Sequence, residues 1–440
     1  MRLISADTAI ASRLRPGLRT ITATIAASIL LFAAAACLFP ALSPAAEPNN
    51  RYGSYQGDID FIKKHTAVIE LSDDSGKARV AICPAYQGRV MTSTCTGSSG
   101  PSFGWLNRDF IESGKPDDVF NNYGGEDRFW LAPEAGQFAL FFKPGAEQKV
   151  ANWFTPPGLN VGAFEAATPT EPGLLLKHHL KVANASNTQF ELDVERGIRR
   201  LELPQLGELL GAEAESALRN SRASWVAFWT KNKVINRGEQ LKADTGLVSI
   251  WSLGQFRPGP KTVIILPYEP GEAETLGPIV TPDYFGPVPD ERLKVTEQAV
   301  LFLGDGKFRA KVGISPKRAR PTIGSYDFDA GVLTLVNFTL PSRPGQQLYI
   351  NNSWVLPQAE PFRGDVVNSY NDGAAEPGAK TLGGFYELET LSPAAQLAKG
   401  ASLTHTHATI HILGKPDELA PLVKLTLGVD LADVRQAMGL

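Results

Sequence analysis

Cysteine is scarce in this sequence, and neither sign of charge prevails. The chain has three cysteines among 440 residues, and 43 Lys and Arg side chains stand against 46 Asp and Glu, a formal net charge of -3. Nucleic-acid binding requires clustered Lys and Arg, so this balance gives no reason to expect a nucleic-acid partner. Phosphate-binding loops of the GxxxxGK[ST] type and zinc motifs of the HExxH type are also missing from the sequence.

A long uncharged apolar run occurs at the N-terminus alone. Four arginines between positions 2 and 19 precede it, no charge follows until Glu47, and Ser43-Pro44-Ala45 supplies small residues for a signal peptidase. This pattern predicts a signal peptide over residues 1–46 and an exported protein, periplasmic or extracellular. An uncleaved anchor and lipid attachment at Cys37, in a lipobox-like sequence, are the alternatives, and any membrane attachment is expected through this segment alone.

The mature chain, residues 47–440, keeps two cysteines, Cys83 and Cys95. Export permits a disulfide, and Gln87-Gly88 between them suits a tight hairpin that could bring the sulfurs together. Two buried thiols are the alternative, since spacing does not show geometry. Two cysteines also make a zinc site improbable, and no cofactor is predicted.

Short runs of alternating apolar and polar residues recur through the mature chain, separated by Gly, Pro, Asn and Asp clusters. They predict a single all-β domain over residues 47–440, with an open or sandwiched architecture. Helical spacing occurs at 204–220 and 430–438, and residues 416–420 suit a single helical turn. The fold is therefore expected to be β with short helical insertions.

Two segments are dense in chemically active side chains. Residues 121–134 crowd acids around Gly124-Gly125, with Arg128 as a planar fork of donors and Trp130 as an apolar face for a sugar ring. An ion-paired turn with Trp130 in the core is the alternative. Residues 362–390 place Glu387 and Glu389 on one face of a strand, where burial would raise at least one pKa and suit acid–base chemistry, unless that face meets solvent.

Histidines give a weaker signal. His405, His407 and His411 share one face of a predicted strand, a pattern that suits either a metal site or a polar sheet face. The run has no acidic neighbour, so we favour the polar face and predict no metal. His179 shares its face with Lys177 and Lys181 and is expected to meet solvent or a groove.

The sequence resembles the galactose mutarotase and aldose 1-epimerase superfamily. The strongest match is Phe-Tyr-Glu-Leu-Glu-Thr-Leu-Ser-Pro at 385–393, followed by the His-containing strand at 397–407. Most of the mature chain is similar to a family of uncharacterised exported bacterial proteins within it, through Gly-Arg-Val-Met-Thr-Ser-Thr at 88–94, Gly-Gly-Glu-Asp-Arg-Phe-Trp at 124–130 and Asn-Ser-Tyr-Asn-Asp-Gly at 368–373.

The resemblance implies a galactose mutarotase-like β-supersandwich with a sugar site on its concave face. Glu389 matches the catalytic base of the enzymes, His405 a histidine of the last strand, and Arg128 the substrate arginine. The enzymes carry their acid histidine on a middle strand, whereas the corresponding residues here, 248–256, hold Trp251 and Gln255 and no histidine. The scaffold and the base are thus expected, and the usual acid is missing.

We therefore predict an exported protein that binds or processes a carbohydrate, either a small molecule or a polysaccharide, with no nucleic-acid partner. An active epimerase, isomerase or lyase with Glu389 as base and a non-catalytic envelope interaction protein are the alternatives, and the sequence leaves catalysis undecided. The predicted catalytic residues are Glu389, His405 and His179. The predicted substrate-binding residues are Arg128, Glu126, Trp130, Trp251, Gln255, Asn371, Asp372 and Glu387.

Overall fold

The alternating runs fold into antiparallel strands, as the computed structural model shows for residues 50–166, 173–376 and 378–440. The predicted signal peptide lies outside these described residues. In chain order the strands are β1 (Ile69–Ser72), β2 (Arg79–Cys83), β3 (Arg89–Thr94), β4 (Arg128–Ala132), β5 (Glu165–Ala166), β6 (Gly173–Ala183), β7 (Gln189–Arg200), β8 (Ser224–Asn236), β9 (Ser249–Phe256), β10 (Thr262–Pro267), β11 (Leu293–Val295), β12 (Ala299–Leu303), β13 (Ala310–Ile314), β14 (Thr322–Asp327), β15 (Val332–Phe338), β16 (Val367–Asn371), β17 (Tyr386–Leu391) and β18 (Ser402–Leu413).

The strands form three sheets. A large sheet of ten strands has the order β11-β12-β10-β14-β15-β18-β8-β7-β6-β5, and a floor sheet of five has the order β13-β16-β17-β9-β4. The third is the three-stranded sheet β1-β2-β3. Every pairing between these strands is antiparallel. The prediction of an all-β fold with short helices is confirmed.

Short helices decorate the sheets. They are α1 (Tyr55–Lys63), α2 (Arg108–Ser113), α3 (Pro157–Asn160), α4 (Leu203–Leu210), α5 (Ala212–Asn220), α6 (Ala273–Leu276), α7 (Pro416–Leu427) and α8 (Leu431–Ala437). Within the described ranges no helix has the length and apolarity needed to cross a membrane.

Two helical predictions need correction in detail. The predicted helix at 204–220 is two helices, α4 and α5, because Gly211 between them has a φ of 95°, which a helix interior does not accept. The single turn expected at 416–420 is the twelve-residue α7, which continues through Pro421. Its buried face packs on the large sheet, and that burial offsets the roughly 3 kcal/mol that an interior proline costs.

The large sheet has a different layer on each face. Helices α4, α5, α7 and α8 form a helical layer, and Val263 and Ile265 of β10 pack against it. Ile264 and Leu266 of the same strand pack with residues of the floor sheet such as Leu388. Successive side chains of a strand point to opposite faces, so the large sheet lies between the helices and the floor sheet. The cavity described below lies on the far face of the floor sheet, the face that does not pack against the large sheet.

Cys83 and Cys95 are both free and buried, so the thiol alternative holds and the bridge does not. Cys83 ends β2, directly opposite Arg89 of β3, and Cys95 lies one residue beyond the far end of β3. The hairpin therefore carries the two sulfurs to opposite ends. Burial raises the pKa of each thiol to about 12, which leaves both protonated near neutral pH.

Candidate functional site

A cavity of about 190 Å³ opens on the far face of the floor sheet. At roughly 30 Å³ per water molecule, it has room for about six waters, a size that suits one small ring. Its floor comes from alternate residues of neighbouring strands, which point to one side because the side-chain period of a strand is two. They are Arg128 and Trp130 of β4, Trp251, Leu253 and Gln255 of β9, Lys311 of β13, and Glu387 and Glu389 of β17.

Aromatic side chains from the loops make up most of the walls. These are Phe120, Trp153, Phe285, Trp354 and Phe385, together with Tyr370 of β16. Trp130 and Trp251 continue the aromatic surface into the floor, with their ring centroids 5.7 Å apart. Large flat apolar faces of this kind suit the C–H faces of a ring whose edges are polar.

Two ion pairs cross the floor of the cavity. Arg128 donates from Nη2 to Oε1 of Glu387 at 3.0 Å, and its guanidinium carbon lies 4.0 Å from the centroid of the Trp130 ring. Lys311 Nζ lies 3.1 Å from Oε2 of Glu389, the same oxygen that accepts a hydrogen bond of 2.9 Å from Trp251 Nε1. The Lys311 ammonium is also 3.7 Å from Glu134 Oε2 and 4.7 Å from the centroid of the Trp251 ring. One cation therefore holds two carboxylates together.

The buried charges shift one another's protonation. Burial raises the pKa of Glu387 to about 8; Arg128 acts against this rise and the neighbouring Glu389 adds to it. Burial likewise raises the pKa of Glu134. For Lys311 burial acts to lower the pKa, but Glu389, Glu134 and Glu387 outweigh it and the pKa is raised, so this ammonium stays charged. Near neutral pH the site thus combines a mostly protonated Glu387 with a charged Lys311.

Several buried polar atoms of the cavity have no hydrogen-bond partner among the described residues. They are Nε and Nη1 of Arg128, Oε1 of Glu389, and both Oε1 and Nε2 of the Gln255 amide. Gln255 and Glu389 are 0% exposed and Arg128 is 4% exposed. Buried polar groups are paired in the great majority of cases, and leaving one unpaired costs about 1–3 kcal/mol. Three donors and two acceptors in the cavity are thus available to a polar ligand or to water.

Six of the predicted site residues meet at this cavity. The structure brings together Glu389, Glu387, Arg128, Trp130, Trp251 and Gln255. They come from three strands that are neighbours in the floor sheet, with Glu387 paired to Gln255 and Trp130 to Trp251 in the register. Their roles as catalytic or binding groups stay predictions.

His405 and Glu126 lie elsewhere, and their expected place beside Glu389 is corrected. His405 accepts or donates a hydrogen bond of 2.8 Å between its Nε2 and Thr390 Oγ1, and Thr390 points to the opposite face of β17 from Glu389. His405 is thus enclosed between the two sheets, and burial lowers its pKa to about 3. Glu126 is also buried there, with Oε2 3.1 Å from His411 Nε2.

The structure also places His179 away from the cavity. It is 48% exposed on β6, near one end of the large sheet, where Nδ1 lies 2.7 Å from Asp193 Oδ1. Its other ring nitrogen lies 3.4 Å from Glu191. It contributes nothing to the cavity lining. No histidine therefore lies in the cavity of the described chain to act as the acid of the enzymes.

Asn371 and Asp372 hold the loops at the cavity mouth and do not line the cavity. Asn371 donates to Phe308 O at 2.9 Å and accepts from Gly306 N at 2.9 Å. Asp372 accepts from the backbone N–H groups of Gly383 and Gly384, at 2.9 and 2.8 Å. Their predicted substrate contact is thus replaced by a positioning contact, since both side chains are saturated by the protein itself.

Three charged residues of the site have only a weak signal in the sequence. Lys311 lies on the otherwise apolar β13 and Arg309 directly precedes that strand, two positions away, a spacing that puts two cations on one face. Glu134 follows β4 and belongs to the acid-rich segment 121–134, in which no local pattern distinguishes it. Among the residues that the structure describes, no three His, Cys, Asp or Glu side chains are grouped as metal ligands.

The architecture is similar to that of several solved bacterial structures. Slr1438 from Synechocystis sp. PCC 6803 matches with a TM-score of 0.42 and 11% identity, over 80% of this chain and 96% of its own. An Escherichia coli K12 protein described as a candidate aldose 1-epimerase gives 0.46 and 12%, over 79% and 99%. A galactose mutarotase-like protein from Lactobacillus casei ATCC 334 gives 0.40 and 10%, over 79% and 100%.

Residues 53–438 match the model of a family of unknown function, DUF6786, and the chain belongs to this family. Comparison with curated protein sequences gives no match. Likeness of this degree does not identify an activity, so the chemistry of the cavity has to supply it.

Proposed function

We propose that this protein binds a carbohydrate in the cavity on the floor sheet. The observation that carries the proposal is the set of unpaired buried donors and acceptors on Arg128, Gln255 and Glu389, set between tryptophan faces. A sugar ring presents hydroxyl groups, which both donate and accept, around apolar C–H faces.

Each polar atom has a natural use in such a complex. Arg128 Nε and Nη1 donate to hydroxyl oxygens, Glu389 Oε1 accepts from a hydroxyl, and the Gln255 amide does one of each. The Arg128 guanidinium over its ring fixes Trp130, and a hydrogen bond to Glu389 fixes Trp251, so this part of the lining is already in position before the ligand enters. The cavity volume favours one sugar unit, free or at the end of a polysaccharide. Export through the N-terminal segment would bring the protein to extracytoplasmic sugars.

Gln255→Met should weaken binding without harming the fold. Neither polar atom of this amide reaches hydrogen-bond geometry with a described residue, although the amide faces Glu387 and acts to lower the pKa of that carboxyl. An apolar side chain of similar length therefore relieves a desolvation cost and breaks no well-formed hydrogen bond. We expect an unchanged or higher melting temperature and about tenfold weaker sugar binding, measured by calorimetry and by tryptophan fluorescence over a panel of monosaccharides.

Gln205→Met is the matched control. Gln205 accepts a hydrogen bond of 2.8 Å from the backbone N–H of Glu202 at the start of α4, in the helical layer on the opposite face of the large sheet. It should lower the melting temperature slightly and leave binding intact. A Gln255→Met protein that melts lower and binds as wild type would show that this amide serves the fold, and the carbohydrate proposal would lose its main support.

A second candidate function is isomerisation of the bound sugar, and the paired carboxylates of β17 favour it. Two acids whose surroundings give them different pKa values can serve as the acid and the base of one reaction. Glu387, with its pKa raised to about 8 by burial, is protonated near neutral pH and can give a proton to the ring oxygen. Glu389 is paired with Lys311 through Oε2, and its Oε1 is available to take the proton of the anomeric hydroxyl as the ring C–O bond breaks.

Glu389→Gln tests this second function directly. An amide cannot take the anomeric proton, so exchange between α and β anomers, followed by NMR, should fall at least about a hundredfold if Glu389 is the base. Sugar binding measured in parallel shows whether the site survives. A wild-type rate no faster than buffer across the sugar panel would exclude the epimerase and leave the binding function.

A further inference from the structure

The cations that line the cavity outnumber the carboxylates available to them. Arg128, Arg309, Lys311 and Lys380 are the cations, and Glu134, Glu387 and Glu389 are the carboxyl groups. Arg128 is taken by Glu387, and Lys311 is shared by Glu389 and Glu134. Arg309 and Lys380 have no carboxylate within 4.0 Å in the described part of the chain. The lining therefore has a formal excess of one positive charge, and Arg309 and Lys380 are the two cations without a carboxylate partner.

Arg309 is held in a defined position. Its guanidinium carbon lies 3.7 Å from the centroid of the Phe285 ring, a cation–π contact that fixes the plane of the group and leaves its N–H edges available. It precedes β13 by one residue and shares the face of Lys311, so it is set above the cavity floor. A planar fork of donors matches a carboxylate or a phosphate better than it matches a single hydroxyl.

Protonation adds to this positive excess. Burial raises the pKa of Glu387 to about 8, so near pH 7 this carboxyl is mostly neutral and does not balance Arg128 fully. The groups facing it are Arg128, Glu389, Lys311 and Gln255, and Glu389 is the only other carboxyl group among them. An empty cavity of this composition is expected to attract anions in preference to neutral solutes.

We propose that the ligand of this cavity is an anionic carbohydrate whose acidic group is bound by Arg309, with Lys380 at the exposed rim. This inference rests on the proposed carbohydrate site and names the class of its ligand. The acidic group is a uronic carboxylate or a phosphate ester, since both present oxygens in the geometry of the guanidinium fork. The neutral ring then occupies the aromatic walls and the orphaned polar groups of the floor.

Calorimetry with matched pairs of sugars tests the proposal. The probes are galacturonate against galactose, glucuronate against glucose, and glucose 6-phosphate as the phosphate arm. We expect at least one acidic probe to bind about tenfold more tightly than its neutral partner at pH 7 and low salt. Arg309→Gln should remove this preference, while Arg219→Gln should keep it. Arg219 is the control because it is 59% exposed on α5, in the helical layer, and its loss changes the net charge equally.

The outcomes separate this inference from the function on which it rests. Equal binding of neutral and acidic sugars, unaffected by Arg309→Gln, would overturn the anionic class and leave the carbohydrate site standing. No binding of any probe by the wild-type protein would overturn both. If Arg309→Gln does not fold, Arg309→Lys keeps the charge without the fork and should retain part of the preference. The tighter of the carboxylate and phosphate arms identifies the acidic group.

Discussion

Replacing Lys311 with methionine lowers the free energy of unfolding by about 3–5 kcal/mol at pH 7. Lys311 is 4% exposed, and its ammonium is the only cation within 4.0 Å of the Glu389 carboxylate in the described chain. Methionine fills similar volume, so the loss reports the charge and not the packing. Glu389 and Glu134 are then left as buried carboxylates that repel each other. Chemical denaturation with urea measures the change.

A double variant separates the charge from other causes. Lys311→Met combined with Glu389→Gln removes both members of the pair, and we expect it to recover at least half of the stability that the single variant loses. Lys424→Met is the control, since Lys424 and Asp430 are 49% and 54% exposed and such a pair contributes about 0–1 kcal/mol. A double variant as unstable as the single one would mean that the unpaired Glu389 carboxylate does not cause the loss.

Glu387→Gln changes how the stability of the protein depends on pH. The folded-state pKa of Glu387 is raised to about 8 from an ordinary 4.5, so between these values the folded protein binds a proton that the unfolded chain has released. This contribution to stability is complete below pH 4.5 and is lost as pH rises to 8. Relative to the glutamine variant, the wild type should therefore lose about 1.4 kcal/mol per pH unit across this window.

Urea titrations at pH 5, 6, 7, 8 and 9 measure that difference. It should grow in favour of the glutamine variant up to pH 8 and then level off. Glu191→Gln is the control of opposite sign, because the Lys181 hydrogen bond lowers the pKa of the exposed Glu191 and any difference is confined to acid pH. A constant difference between wild type and Glu387→Gln from pH 5 to 9 would show that Glu387 is ionised throughout.

One part of the cavity floor follows from strand periodicity, and another part from the family resemblance. Glu387 and Glu389 lie on one face because they are two positions apart, whereas Trp251 and Gln255 were predicted from the strand that the resemblance places beside the sugar. Periodicity tells which residues share a face, but not which face meets another sheet. The same rule therefore left His405 undecided, and only the contact with Thr390 shows that its face is the buried one.

Residues from distant parts of the chain were harder to predict. Lys311 reaches Glu389 from β13, two strands away from β17 in the floor sheet. Strand order depends on the whole set of pairings, which no local pattern encodes. Asp372 was also misread, because a carboxylate in a Gly-rich turn serves equally well as a ligand contact or as an acceptor for backbone N–H groups.

The two faces of strand β17 in the floor sheet have different roles. Along β17, the side chains of Glu387 and Glu389 reach the cavity, while those of Leu388 and Thr390 pack against the large sheet. Under the proposed function, substitutions at the first pair would alter ligand binding, and substitutions at the second pair would alter the stability of the fold. Ligand preference can thus diverge between relatives at alternate positions, one residue apart, while the intervening positions keep the architecture unchanged.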